Sequence, residues 1–246
     1  MKPIYVQNFE ITDIYVDCYG RLKPSMILFF AQEIAGKHCV ELAVDYETLE
    51  KKRLFWAVTR HKVQITRMPV RGETIRVETW PMPTTRVAYP RSVVAYDTAG
   101  SELFRSISLW VLMDPQTRAM VLPGKSGVIV PGILRGNELP TPTSLGPTLY
   151  ENETIRKVLF SQLDRNGHMN NTHYLSWLSD LLPAAFHKEH PVKDFTVCYQ
   201  SEALENQAIS LRWELNDDGL LQVNALREKT DVPGGKDRVF SAQVQF

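Results

Sequence analysis

Apolar residues along this chain recur first with an extended period, then with a helical one, then with an extended one again, and the whole order is repeated once. Residues 4–16 read as an extended segment, after which Cys18-Tyr19-Gly20-Arg21 turns into a helix that Pro24 opens. Proline suits a first helical position because its missing amide would have no intrahelical partner there. Ile27, Phe30, Ala31, Ile34, Ala35, His38 and Leu42 form a stripe at helical spacing, with Gln32, Glu33, Lys37 and Glu41 opposite. Leu28 and Phe29 widen that stripe, as expected of a helix that other elements enclose. Strands are predicted near 54–68, 73–82, 85–97 and 102–114, separated by Arg71-Gly72, Pro83-Thr84 and Ala99-Gly100. A long helix followed by an antiparallel meander buries its apolar stripe only if the sheet wraps around it.

The second half repeats this order: an extended run at 150–162, a polar turn, a helix over Asn171 to His187, and strands near 193–203, 207–216, 219–229 and 237–245. Asp218-Gly219 and Gly234-Gly235 mark hairpins. Pro183 should kink or shorten the helix, since it removes a donor and clashes with the preceding turn. The two halves align weakly at an offset of 147, with Asp17 on Asp164, Gly20 on Gly167, Leu22 on Met169, Leu28 on Leu175, Phe30 on Trp177 and Ile34 on Leu181. The stretch Leu122 to Pro147, rich in Pro, Gly, Ser and Thr, reads as a linker. The expected organisation is a domain over 1–122, a linker over 123–147 and a second domain over 148–246.

Charge and cysteine content narrow the function classes. Net charge is zero, +3 over residues 1–122 and −3 over 123–246, which makes nucleic acid a poor partner. Hydrophobic residues make up 43% of the chain, enough for a full core, yet no run approaches the roughly 18 apolar residues of a membrane span. With no charged-then-apolar leader, a cytoplasmic location is expected. Cys18, Cys39 and Cys198 lie too far apart for a disulfide framework or zinc site, and His187 and His190 lack a third ligand, so no metal is expected.

The chemistry concentrates in Asp164-Arg165-Asn166-Gly167-His168-Met169-Asn170-Asn171. Asn166 offers an amide donor, His168 a donor or base, and the helix start offers backbone amides to a developing oxyanion. Asn170 and Asn171 are expected as helix caps. On the strand Phe195 to Glu202, residues 196, 198, 200 and 202 share a face, with Glu202 at the end. Aligning Glu205-Asn206-Gln207 with Arg71-Gly72-Glu73 at an offset of 134 places Met68 opposite Glu202, while Tyr19 and Arg21 stand opposite Asn166 and His168. Only the second copy carries the polar set.

Asp164-x-Asn166-x-His168-x-Asn170-Asn171 with Tyr174 and Trp177 resembles the signature of fatty acyl-ACP thioesterases of the plant-plastid and bacterial type. Trp80, Arg91 ahead of Asp97-Thr98-Ala99-Gly100, Trp110, and Asp114-Pro115-Gln116-Thr117-Arg118 extend the likeness through the first half. The resemblance implies an α+β tandem hot-dog fold, each half a long helix wrapped by an antiparallel sheet. It also implies hydrolysis of fatty acyl-ACP without a cofactor, and acyl carrier protein as partner. Its catalytic set maps onto Asp164, Asn166, His168 and Glu202; Ala203 stands where plant members have cysteine, so a covalent cysteine route has no nucleophile here. Direct attack by water follows, with Glu202 as base, His168 and Asn166 on the carbonyl, and Asp164 either orienting them or acting as base itself. The first half is left to enclose an acyl chain in an apolar tunnel, for which Tyr19, Met26, Phe30 and Trp56 are candidate lining residues.

Other readings stand beside this one. His38, His61 and His173 are expected as satisfied core residues, and Cys198 as a buried structural thiol. A hot-dog dehydratase would carry Asp-x-Asn-Pro-x-His, whereas here His168 is one residue closer and Gly167 replaces proline. An acyl-CoA thioesterase and a non-catalytic acyl-binding module are the remaining alternatives, and homodimerisation is compatible with any of them.

Overall fold

The structure is a computed structural model that describes residues 2–136, 138–148, 150–228 and 235–246. The chain divides into two compact units, Met1–Pro142 and Thr143–Phe246. In the first, β1 (Tyr5–Glu10) is followed by α1 (Pro24–Glu41), α2 (Tyr46–Glu50), β2 (Phe55–Ile65), β3 (Thr74–Pro81), β4 (Tyr89–Tyr96), β5 (Glu102–Met113), β6 (Met120–Val121) and α3 (Pro123–Ser126). Its strands pair antiparallel in the order β1-β3-β4-β5-β2, with β6 on the far end of β5. The second unit runs β7 (Asn152–Lys157), α4 (Asn171–Ser179), α5 (Ala184–Glu189), β8 (Asp194–Tyr199), β9 (Ala208–Leu215), β10 (Leu220–Glu228) and β11 (Lys236–Gln245), paired β7-β9-β10-β11-β8. The same strand order in both units is the duplication made visible. Gly234 of the Gly234-Gly235 hairpin expectation lies outside the described residues.

The stripe that periodicity picked out is the face α1 buries: Ile27, Phe30, Ala31, Ile34, Ala35, His38 and Leu42 are all sequestered. Burying side chains of this size stabilises by about 1.5–3 kcal/mol each. Leu28 is buried with them, but Phe29 remains 40% exposed. In the second unit the helix expected over 171–187 is two helices, because Pro183 serves as N-cap of α5 and leaves α4 ending at Ser179. Tyr174 of α4 meets Tyr199 of β8 and Phe240 of β11 edge-on, at 5.4 and 4.7 Å between centroids.

The described residues of the stretch expected as a linker bond to one unit or the other. Described residues from Pro123 to Pro142 pack as a strap on the first unit: Lys52 donates to the Gly127 carbonyl, Tyr89 meets Ser126, and the Ile133 amide donates to Pro81 O. Arg135 covers the Trp80 ring at 4.8 Å and pairs with Glu78 at 2.6 Å, while Arg60 donates to Pro142 O. At Gly132 a Cβ would sit 2.3 Å from the Met82 carbonyl carbon, so the strap passes too close for any side chain. Beyond Pro142 the chain belongs to the second unit, where Asn224 and Arg238 donate to Thr148 O and Leu145 O.

The interior of the first unit holds polar side chains, His38 and His61 among them. Arg91 is buried and donates from Nη1 to His38 Nδ1 at 3.1 Å and to Thr79 Oγ1 at 3.2 Å, with Cys39 Sγ 3.8 Å from Nη2. Guanidinium has no acceptor, so Nδ1 must accept and His38 must carry its proton on Nε2, which faces the Lys2 carbonyl at 3.1 Å. Burial first, and the Arg91 charge after the opposing Lys2 hydrogen bond, keeps the His38 pKa below its usual value. His61 is buried too, but neither ring nitrogen has a partner among the described residues, and burial alone pushes its pKa down to about 3. His61 is therefore a core histidine that is not satisfied.

Candidate active site

The polar turn is built by Asp164. Its Oδ1 accepts the amides of Asn166 at 2.8 Å and His168 at 3.3 Å, its own amide donates to His168 O at 2.7 Å, and Gly167 N returns to Asp164 O at 3.0 Å. Gly167 stands at φ +77°, a left-handed conformation that glycine adopts without strain. Asn170 then caps α4, its Oδ1 taking both Thr172 N and Thr172 Oγ1 at 3.0 Å. Since Thr172 N and His173 N both bond Asn170, fewer helix-start amides remain for an oxyanion than the sequence suggested.

The first unit makes the same turn without the chemistry. Asp17 Oδ1 accepts the amides of Tyr19 and Arg21 at 2.8 and 3.0 Å, Gly20 N donates to Asp17 O, and Gly20 stands at φ +75°. The bridge Arg21↔Val70 recurs as His168↔Leu204, and Leu22 N→Pro69 O recurs as Met169 N→Ala203 O. These pairs reproduce the offsets of 147 and 134, so Met68 is the counterpart of Glu202. A carboxylate that forms the same turn in a copy lacking the polar set is a turn former there.

Those backbone bridges bring Glu202 to His168: Glu202 Oε2 lies 3.3 Å from His168 Nε2. The His168 side chain is 9% exposed and Glu202 39%, so the pair sits at the rim of the second unit with the imidazole inside and the carboxylate toward solvent. Asn166 is exposed on the same turn, and its side chain makes no hydrogen bond among the described residues. Beneath them Tyr174 is buried; desolvation raises its phenol well above the usual range, with Asp164 and Glu202 adding and Arg227 opposing. It stays a neutral hydroxyl near two carboxylates. Chemically the set offers a proton acceptor, an imidazole in contact with it and an unengaged amide, the parts hydrolysis at a carbonyl requires.

The proposed lining residues lie apart in character. Phe30 is fully buried against Phe9 and Tyr15, and Trp56 is half-buried over Tyr89 with its indole donating to Val44 O. Met26 is half-buried, whereas Tyr19 is 38% exposed with Arg21 over its ring. Cys198 is buried, its thiol facing Thr143 O at 3.6 Å. Sequence reasoning missed Gln207 and Arg227, which bond the segment carrying Glu202; only the Glu73–Gln207 alignment hinted at the first. Among the described residues no cluster of three His, Cys, Asp or Glu side chains could hold a metal, and no helix is long and apolar enough to cross a membrane.

Comparison with known proteins places this architecture. The chain is 26% identical over 214 residues to a chloroplastic palmitoyl-acyl carrier protein thioesterase of Gossypium hirsutum, covering 81% of this chain and 52% of that protein. It is 26% identical over 184 residues to a chloroplastic dodecanoyl-[acyl-carrier-protein] hydrolase of Umbellularia californica, covering 65% and 44%. The chain thus spans about half the length of the plant relatives it matches. An acyl-ACP thioesterase structure from Bacteroides thetaiotaomicron superposes with a TM-score of 0.86 at 21% identity, over 99% of this chain and 98% of that one. The 12:0-ACP thioesterase of Umbellularia californica gives 0.83 at 22% identity, over 100% and 97%. The fold is accordingly the tandem hot-dog. Residues 2–122 match the acyl-ACP thioesterase N-terminal domain and residues 149–238 the C-terminal domain, so the chain belongs to the acyl-ACP thioesterase family.

Proposed function

We propose that this protein hydrolyses the thioester of a fatty acyl chain on acyl carrier protein, releasing the free fatty acid and the carrier thiol, with Glu202 as base. The observation that carries the reading is the 3.3 Å approach of His168 Nε2 to Glu202 Oε2, beside Asn166, in the unit whose counterpart has Arg21, Met68 and Tyr19 at those places. Water attacks the carbonyl carbon as Glu202 takes its proton, and the oxyanion is met by the Asn166 amide. When the C–S bond breaks, the proton passes to sulfur through His168, which touches the carboxylate and is thereby placed to carry it. Asp164 holds the turn that presents Asn166 and His168. Ala203 leaves no thiol beside Glu202 for an acyl-enzyme.

The carrier partner is part of the same proposal, supported by the family and by the carrier-bound substrates in the relatives' names, and so is a cytoplasmic site of action, which the chloroplastic plant relatives do not share. Thiol release from matched acyl-ACP and acyl-CoA series of about eight to eighteen carbons tests it, each buried methylene contributing about 0.8 kcal/mol to chain discrimination. Preferred turnover of acyl-ACP supports the reading; preferred turnover of acyl-CoA replaces the carrier, and no release at any length leaves a binding module.

A further inference from the structure

We infer that Arg227 is a positioning residue for this reaction, fixing the backbone that carries Glu202; the inference rests on Glu202 being the base. Glu202 belongs to no helix or strand, so its side chain is only as well placed as the irregular segment between β8 and β9. Two sets of bonds hold that segment. From the turn side, Met169 N donates to Ala203 O at 2.8 Å and His168 bridges Leu204. From the sheet side, Arg227 Nη1 donates to Glu202 O at 2.5 Å and to Gln207 Oε1 at 3.0 Å, and the same Oε1 accepts the Leu204 amide at 2.9 Å. Arg227 Nη2 lies 3.8 Å from Asp237 Oδ2 across the β10–β11 pair, which keeps the guanidinium on the strand.

The first unit has a different arrangement at the equivalent places. Glu73 stands where Gln207 does and accepts Val70 N at 3.0 Å, as Gln207 accepts Leu204 N. There the cation is Arg67, at the place of Ser201, pairing with Glu73 at 2.8 Å and with Asp97 at 3.7 Å. The registers Thr79↔Val93 and Trp213↔Val223, and the bulges at Ala95/Tyr96 and Ala225/Leu226, put Asp97 opposite Arg227. In the second unit the cation therefore stands on the strand rather than in the loop. From there it donates to the main-chain carbonyl of the residue that bears the base, an arrangement that general strengthening of the hairpin does not require.

The test compares Arg227→Met, Arg227→Lys and Arg67→Met in the whole chain, measuring kcat, KM and thermal midpoint on one acyl-ACP. Arg227→Met is expected to lower kcat about 100-fold, the scale of effect of a misplacement near 1 Å, with KM within about threefold. Arg227→Lys should regain about tenfold of that loss, since an ammonium can reach one acceptor but not two in a fixed fork. Arg67→Met removes the equivalent pair and should keep kcat within about twofold. Parent kcat in Arg227→Met, or equal losses in Arg67→Met and Arg227→Met, overturns the inference. If Arg227→Met does not fold, Gln207→Ala removes the shared acceptor and should lower kcat in the same way; parent kcat there overturns it. Glu202→Gln at the parent rate removes the base and the clamp together, whereas an inactive Glu202→Gln beside a fully active Arg227→Met removes the clamp alone.

Discussion

Whether Asp164 is a turn former or the base can be decided by Asp164→Asn. Asparagine keeps an oxygen able to accept the Asn166 and His168 amides that Asp164 Oδ1 now holds at 2.8 and 3.3 Å, but it cannot take a proton. A turn former replaced this way should keep kcat within about threefold, while loss of a general base costs about 10²–10⁴-fold. Asp164→Ala removes both acceptor bonds; at about 0.5–1.5 kcal/mol each, and toward the low end on an exposed turn, the loss is about 1–2 kcal/mol. That corresponds to a fall in thermal midpoint of about 2–8 °C for a chain of this size. Asp17→Ala is the internal control, because Asp17 Oδ1 holds Tyr19 N and Arg21 N at 2.8 and 3.0 Å in the copy without the polar set. The assay is steady-state thiol release on acyl-ACP beside a thermal melt. An Asp164→Asn variant that melts like the parent and has lost about 100-fold or more in kcat would make Asp164 the base and not a turn former alone.

Three further outcomes are expected. His61 has a folded pKa of about 3 against an ordinary value of 6.5, so the unfolded chain binds the extra proton between those values and stability falls as pH drops through that window. The slope is at most about 1.4 kcal/mol per pH unit from this group, and His61→Leu should flatten it in melts taken from pH 6 to 4. Gly36→Ala, in the interior of α1 with nothing within 4 Å of the added Cβ, should raise stability by about 0.5–1 kcal/mol in denaturant titration. Gly132→Ala should instead lower the melting temperature, because its Cβ would meet the Met82 and Pro83 backbone at 2.3–2.4 Å.

The element order was legible because periodicity follows burial: β1 to β5 and β7 to β10 lie within the spans read from sequence, β11 begins one residue earlier at Lys236, the two-residue β6 falls in none of them, and Pro183 broke the second helix as its ring dictates. Glu202 was joined to Asn166 and His168 in the sequence through the family resemblance, the offset of 134 serving only to set Met68 opposite it; the Arg21–Val70 and His168–Leu204 bridges are contacts of the fold. What stayed hidden depends on contacts with no sequence period. Residues Leu122 to Pro147 look like a linker by composition, yet Gly132, Arg135 and Pro142 are held by partners far along the chain. Arg227 reads as one more strand-end charge until the fold sets it against Glu202 O, 25 positions away. The polar cluster of His38, Arg91 and Thr79 was invisible because each residue sits in an otherwise apolar stripe or strand.

Glu202, in contact with His168, is proposed to activate water against an acyl thioester. The deciding comparison is kcat on acyl-ACP for the parent and for Glu202→Gln, which preserves the shape of the side chain and removes its proton affinity. The parent should release thiol and fatty acid in equal amounts, and the variant should lose about 10²–10⁴-fold at an unchanged melting temperature. Parent-level turnover by Glu202→Gln contradicts it.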